Sequence, residues 1–408
     1  MVTWSDLRRE PFRLFFPLGI LGGLVGSIHW LAYAAGWTSS SGFYHASIQV
    51  GAYMSLFIVG FLLTALPRFT SAPPATSAEL IVILALCLAQ PLCLSLGYWI
   101  AGEACFMGIL LALAAFALRR VARRRAEVSP PTEFVWIPIG ILHGLTGTSL
   151  LILGQAGLLP AWALAVGRPM AQQGFLFSIV IGVGGFMAPR LMGRGMLPAT
   201  PTGVSEAHAR RVRMRRVAWH VVAGLVFFTS FWVEGRGAVG WAYRLRALLL
   251  TVELAWTSRF YLPPASPERY VRFLWVSLWM IVIGFWGAGL AMRFRVAMLH
   301  LAFLGGLSLM TFAVATMVVL SHAGEGWRLR QPLWVLRVIG AGIAVAIAAR
   351  LAADFMPNRF FTLLGLAAFA WSAAGVSWFV FALPFVVRQV SSAAFDEMHE
   401  EAKRRLLK

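Results

Sequence analysis

Twelve apolar runs of roughly 17 to 25 residues, separated by polar breaks, limit what this chain can become. Each is long enough to cross a bilayer as a helix. They centre near Leu24, Phe57, Ala89, Leu110, Gly144, Ile181, Phe227, Leu250, Ile281, Leu309, Ala344 and Ala373. Hydrophobic residues make up 59% of the 408 and charged residues only 12%, which excludes an ordinary soluble enzyme and makes length a count of spans. The sequence predicts an all-α polytopic membrane protein of about twelve transmembrane helices. Residues 1–390 read as one helical domain. Residues 391–408 read as a cytoplasmic C-terminal tail whose early acids and late bases suit a helix macrodipole.

The formal net charge of +19 has a topological reading. Most Lys and Arg fall on the side that holds both termini and the even-to-odd loops, with dense clusters at Arg119–Arg125 and Arg210–Arg216. The positive-inside rule puts that face in the cytoplasm. Because the clusters flank apolar spans, the expected partner is the lipid bilayer and not nucleic acid. Asp6–Arg13 is polar and basic, and Leu14–Tyr33 is long enough to span, so it reads as a retained first helix and not a cleaved signal. Gly193–Arg216 reads as a cytoplasmic loop of roughly two dozen residues between spans 6 and 7. Cys87, Cys93 and Cys105 lack metal-type spacing and read as apolar filler.

Gly19 with Gly23, and Gly22 with Gly26, form small-xxx-small pairs in span 1, and Gly305 with Gly306 thin span 10. Close helix packing is the expected cause. A weak echo recurs every four spans: span 2 ends in ALPRF, span 6 in MAPRL and span 10 in VLSHA. Twelve spans would then be three sets of four, with His45 and His300 at equivalent positions on the periplasmic face.

Histidine carries most of the candidate chemistry. An imidazole in the membrane is costly as a cation and useful as a neutral ligand. His300 and His322 bound one apolar stretch, and their 22-residue separation corresponds to about 33 Å of helix, so they cannot share one metal ion. Topology instead brings His29, His45 and His300 to one face, where two of them could hold a haem, or each could simply cap a helix in the headgroups. His143, near mid-membrane in span 5, needs a partner, as a satisfied core residue or as a metal ligand. His208, His220 and His399 read as surface residues. Glu253 inside span 8 is the acid expected to be buried, in an ion pair or a proton relay. Arg13 and Arg68, at the cytoplasmic ends of spans 1 and 2, fit snorkelling.

Taken together, EPFRLFF at Glu10–Phe16, the run from Tyr44 to Thr70 and the run from Met298 to Gly324 resemble the NnrS family. The resemblance implies a bacterial inner-membrane protein linked to nitric oxide metabolism and nitrosative stress, associated with haem b and copper, with an architecture like haem-copper oxidase subunit I. Carried over by position, it implies cofactor-binding roles for His45, His300 and His322, and makes Arg13 the arginine of a PFR motif. The family's second histidine and its glutamate near His45 are replaced by Ser47 and Ile48, and a span 9 histidine has only apolar counterparts around Trp275. One haem, or none, is therefore expected in preference to a full haem and copper complement. The competing readings are a proton-coupled transporter using Glu253 and a non-catalytic membrane partner that has lost its ligands. No soluble cofactor motif is present, so an electron donor would be another membrane protein or a quinol.

Overall fold

Lipid offers no hydrogen bonds, so each crossing stretch must satisfy its own backbone, and helices are the local solution. The computed structural model describes residues 2–39, 42–124, 130–194 and 205–388, and shows no strand among them. His399 and the expected tail lie outside these residues.

A short helix, Trp4–Arg9, opens the chain. Twelve long helices follow: α1 (Phe12–Ala34), α2 (Gly42–Thr70), α3 (Ser77–Ser95), α4 (Trp99–Ala122), α5 (Thr132–Gln155), α6 (Trp162–Leu191), α7 (Glu206–Gly235), α8 (Val239–Ser258), α9 (Arg269–Leu290), α10 (Met292–His322), α11 (Trp334–Ala353) and α12 (Pro357–Val386). Eleven are long and apolar enough to cross a membrane. The exception is α8, which carries Arg244, Arg246 and Glu253. It nevertheless packs between α7 and α9 as the other helices do. Its Arg246 and Glu253 are fully buried, so these polar side chains face protein and not lipid. The expected loop at Gly193–Arg216 is shorter than the sequence suggested: α7 begins at Glu206, with Ser205 accepting a hydrogen bond from the His208 backbone as its N-cap.

The helices form a wheel. Sequence neighbours pack side by side, and α12 closes onto α1. Three helices lie innermost: 83% of the membrane-length stretch of α2, 72% of that of α6 and 67% of that of α10 is buried, against 28–50% for the others. They meet one another through Phe69 and Phe186 (5.4 Å), Phe177 and Phe303 (5.8 Å), and Thr311 and Met54. Large apolar side chains such as Leu92, Leu118 and Phe369 point outward from the rim, as a lipid-facing surface requires.

The four-span echo has a structural counterpart. Among the described residues, π-helical turns occur only in these three helices, at Gln49–Met54, Met170–Gly174, Val180–Gly184 and Leu301–Ser308. A π turn re-aims the side chains on either side of it and is common at functional positions.

Glycines set the closest approaches. A Cβ on Gly22 would sit 2.2 Å from the Ala52 carbonyl oxygen, and one on Gly26 would sit 2.9 Å from the Gln49 amide nitrogen. We expect Gly22→Ala to lower thermal stability in detergent by an equivalent of about 1–3 kcal/mol. Gly42→Ala, with nothing within 4 Å, should leave it unchanged. Equal melting temperatures for the two variants would contradict a tight α1–α2 seam.

Candidate functional site

Helices α2 and α10 meet through side chains and bring polar residues together at both ends. At the end away from the arginine clusters, His45 and His300 face each other with ring centroids 6.5 Å apart and planes inclined by 12°. The two rings are held alike. His45 Nδ1 donates to the Gly26 carbonyl of α1 at 2.9 Å, and His300 Nδ1 donates to the Val296 carbonyl at 2.7 Å. A carbonyl only accepts, so each Nδ1 carries a ring proton, and in the neutral ring Nε2 is the nitrogen that keeps a lone pair. Metal-ligating histidines are oriented in this way. The glycines of α1 let α2 come close enough for the first of these bonds, and Gln49 repeats the contact one turn on, donating to the Gly23 carbonyl at 3.0 Å.

One aromatic ring and one arginine flank the pair. Trp30 lies 5.6 Å from His45. Arg350 of α11, buried and bonded to Asp354 at 2.8 Å, places its charge beside both histidines. His29 is close by but packs on Tyr44 and Trp30 and does not join the pair. Metal–imidazole bonds of about 2.0–2.1 Å place two rings on one ion roughly 6 Å apart, centroid to centroid. The observed spacing, with both Nδ1 atoms committed elsewhere, matches that figure, so His45 and His300 are the residues that could hold such an ion. The described residues contain no group of three or more His, Cys, Asp or Glu able to hold a metal ion.

Ser47, standing where a histidine was expected from the family pattern, donates to Glu103 of α4 at 2.9 Å. A carboxylate thus reaches this region from a different helix. Glu103 is buried, and sequence reasoning missed it, although it is the only acid in the apolar stretch from Trp99 to Leu118.

At the opposite end of the same two helices, Glu10 anchors a buried network. Its carboxylate accepts from Arg13 Nε at 2.5 Å, from Arg68 Nη2 at 3.3 Å and from His322 Nδ1 at 2.5 Å. Arg68 Nη1 donates to His322 Nε2 at 3.0 Å, which leaves the ring proton on Nδ1 for Glu10. Arg13 does not snorkel. It is buried, and it also donates to the carbonyls of Phe385, Val386 and Arg388, where α12 ends. Phe12 packs edge-on against His322 at 4.9 Å. Both nitrogens of His322 are therefore committed to this network.

Two further histidines lie away from these clusters. His143 is fully buried among Phe227, Phe228 and Phe231, with Nδ1 bonded to the Ile139 carbonyl and Nε2 without a partner among the described residues. Gly174 packs against its ring. His220, expected at the surface, is buried instead and bonded to Glu253 at 3.0 Å. The neighbouring Arg210–Arg216 cluster marks the headgroup level, and one further helical turn carries the chain into the interior. His208 is exposed.

Inward-facing charges, three inner helices and a polar site at each end define an all-α polytopic membrane protein. Residues 6–389, nearly the whole chain, match the NnrS protein family, and the chain belongs to it. A search of curated proteins returned no match.

The Glu10 network gives a pH signature. Burial alone would raise the carboxyl, but the hydrogen-bonded His322 ring and Arg13 guanidinium outweigh it and hold it at about 2. Its stabilising share is complete above the ordinary carboxylate value of about 4.3 and is lost as pH falls from there toward 2. The melting temperature in detergent should therefore drop across that window. Glu10→Gln should cost about 3 kcal/mol at neutral pH and flatten the acid limb. An unchanged acid limb in the variant would refute this assignment.

Proposed function

We propose that this NnrS family member is a nitric oxide-linked haemoprotein of the bacterial inner membrane, in which His45 and His300 would hold one haem b. The observation that carries the proposal is the near-parallel imidazole pair, each ring with its Nδ1 proton spent on a backbone carbonyl. The haem, when bound, would supply a one-electron redox centre. The protein's part would be to orient both rings through their Nδ1 bonds, to fix their separation between α2 and α10, and to flank them with Trp30 and the charge of Arg350. The arginine-rich face, with both chain ends, is assigned to the cytoplasm by the positive-inside rule. That puts the histidine pair near the periplasmic surface.

His322 belongs with Glu10 and Arg68 as a structural residue. Electrons would come from a membrane protein or a quinol, since the basic-face loops offer no soluble cofactor motif.

Purified in mild detergent after expression with ample haem, the wild type should give a reduced-minus-oxidised spectrum of a six-coordinate b-type haem. His45→Ala and His300→Ala should each weaken or abolish it, and His143→Ala should retain it. A flat wild-type spectrum from well-folded protein would sink the haem reading and leave a cofactor-free membrane partner or a transporter.

A further inference from the structure

A second polar centre lies at the arginine-rich end of α5, α6, α7 and α8, away from both sites described above. His220 of α7 and Glu253 of α8 are 1% and 0% exposed, and Nδ1 of the one lies 3.0 Å from Oε2 of the other. The His220 ring stacks on Trp256, with centroids 5.5 Å apart and planes inclined by 26°. It lines a cavity of about 40 Å³, together with Thr132, Glu133, Arg216, Trp256 and Arg259. That volume holds roughly two or three water molecules. The lining groups Glu133, Arg216 and Arg259 are half-exposed, so the cavity leads outward to the arginine-rich face.

Hydrogen-bond donors at the pair point to its protonation state. Trp136 Nε1 donates to His220 Nδ1 at 3.2 Å, and an indole nitrogen can only donate. Nδ1 facing that donor must present a lone pair. Glu253 Oε2, at 3.0 Å from the same nitrogen, is then bonded to it only if it carries a proton itself. The other carboxyl oxygen, Oε1, is buried with no hydrogen-bond partner among the described residues. An ionised carboxylate in that position would be an uncompensated buried charge, whereas a neutral acid is tolerated. The charged groups around the pair are Glu133 from the start of α5, Arg190 at the end of α6, Arg216 on α7 and Arg259 after α8. None of them bonds Glu253 among the described residues.

We propose that His220 and Glu253 form a proton-exchange site that opens to the arginine-rich face, with Glu253 as a protonated carboxylic acid in its loaded state. Loading is balanced through the imidazole. A proton entering from the arginine-rich face as hydronium is relayed through cavity water to Nε2, leaving neutral water behind, while the Nδ1 proton passes to Glu253 Oε2, so the carboxylate becomes an acid and the ring remains neutral. Unloading is the reverse. Trp136 favours the loaded form, because only then does Nδ1 present a lone pair to its indole N–H. The site is independent of the haem reading and stands or falls without it.

Infrared spectroscopy of the full chain in lipid nanodiscs, in H₂O and D₂O at neutral pH, tests this. The wild type should show the carbonyl stretch of a protonated carboxylic acid that is absent in Glu253→Gln and displaced in Glu253→Asp. The band should shift as D₂O enters, and His220→Asn should slow that shift about a hundredfold. If His220→Asn does not fold, the Gln and Asp variants carry the test by band position and exchange. Identical wild-type and Glu253→Gln spectra would overturn the proposal. So would a Glu253 band that never exchanges with D₂O, or one that exchanges as fast without His220.

Discussion

Lipid cannot solvate a polar side chain, and the arrangement of this protein follows from that constraint. An unpaired polar group in hydrocarbon costs several kcal/mol, and an unpaired charge costs more. The wheel therefore turns apolar side chains outward and gathers its polar ones around three inner helices. Arg246 shows how complete the accommodation is. It is fully buried, donates to Ser230, Gln173 and Glu234, and lies 3.9 Å over the Phe231 ring. With every partner in place, α8 can sit inside the bundle although its composition alone would not carry it across a membrane.

The inner helices also explain how one seam serves two ends. Straight α-helices would repeat their facing positions every 3.6 residues and let side chains drift around the axis. The π turns in α2 and α10 reset that drift between the histidine pair and the Glu10 network. His45 and Arg68 share one helix, His300 and His322 the other, and both pairs meet across the same interface. The carboxylate of Glu10 compensates the arginines at one end, while carbonyl oxygens orient two imidazole rings at the other. One end is thus a charged tie and the other a pair of oriented rings.

Much of this was legible in the sequence, and the gaps have physical causes. Span positions could be read because hydropathy over about twenty residues depends on composition and not on packing. The repeat of α2, α6 and α10 was faintly visible in ALPRF, MAPRL and VLSHA, but the π turns were not, since tertiary contacts decide which carbonyl each amide selects. His220 was misjudged because the basic cluster beside it suggested water, when the helix passes from headgroup level to interior within a turn. The burial of Arg13 was missed for a related reason: the α12 carbonyls that hold it lie some 370 residues away in sequence. Glu103 could have been found as a lone acid in an apolar run. Its partner Ser47 could not, because nothing local links α4 to α2.

The bond from Arg13 to the last carbonyls of α12 joins the first span to the final one. During synthesis, the first helix is in the membrane long before those carbonyls exist. Until the twelfth helix arrives, the wheel is an open arc, and α1 lacks the neighbour that completes its flank. The two histidines follow the same timetable, since His300 reaches the membrane only with the tenth span. Any group held between them must enter a nearly finished protein.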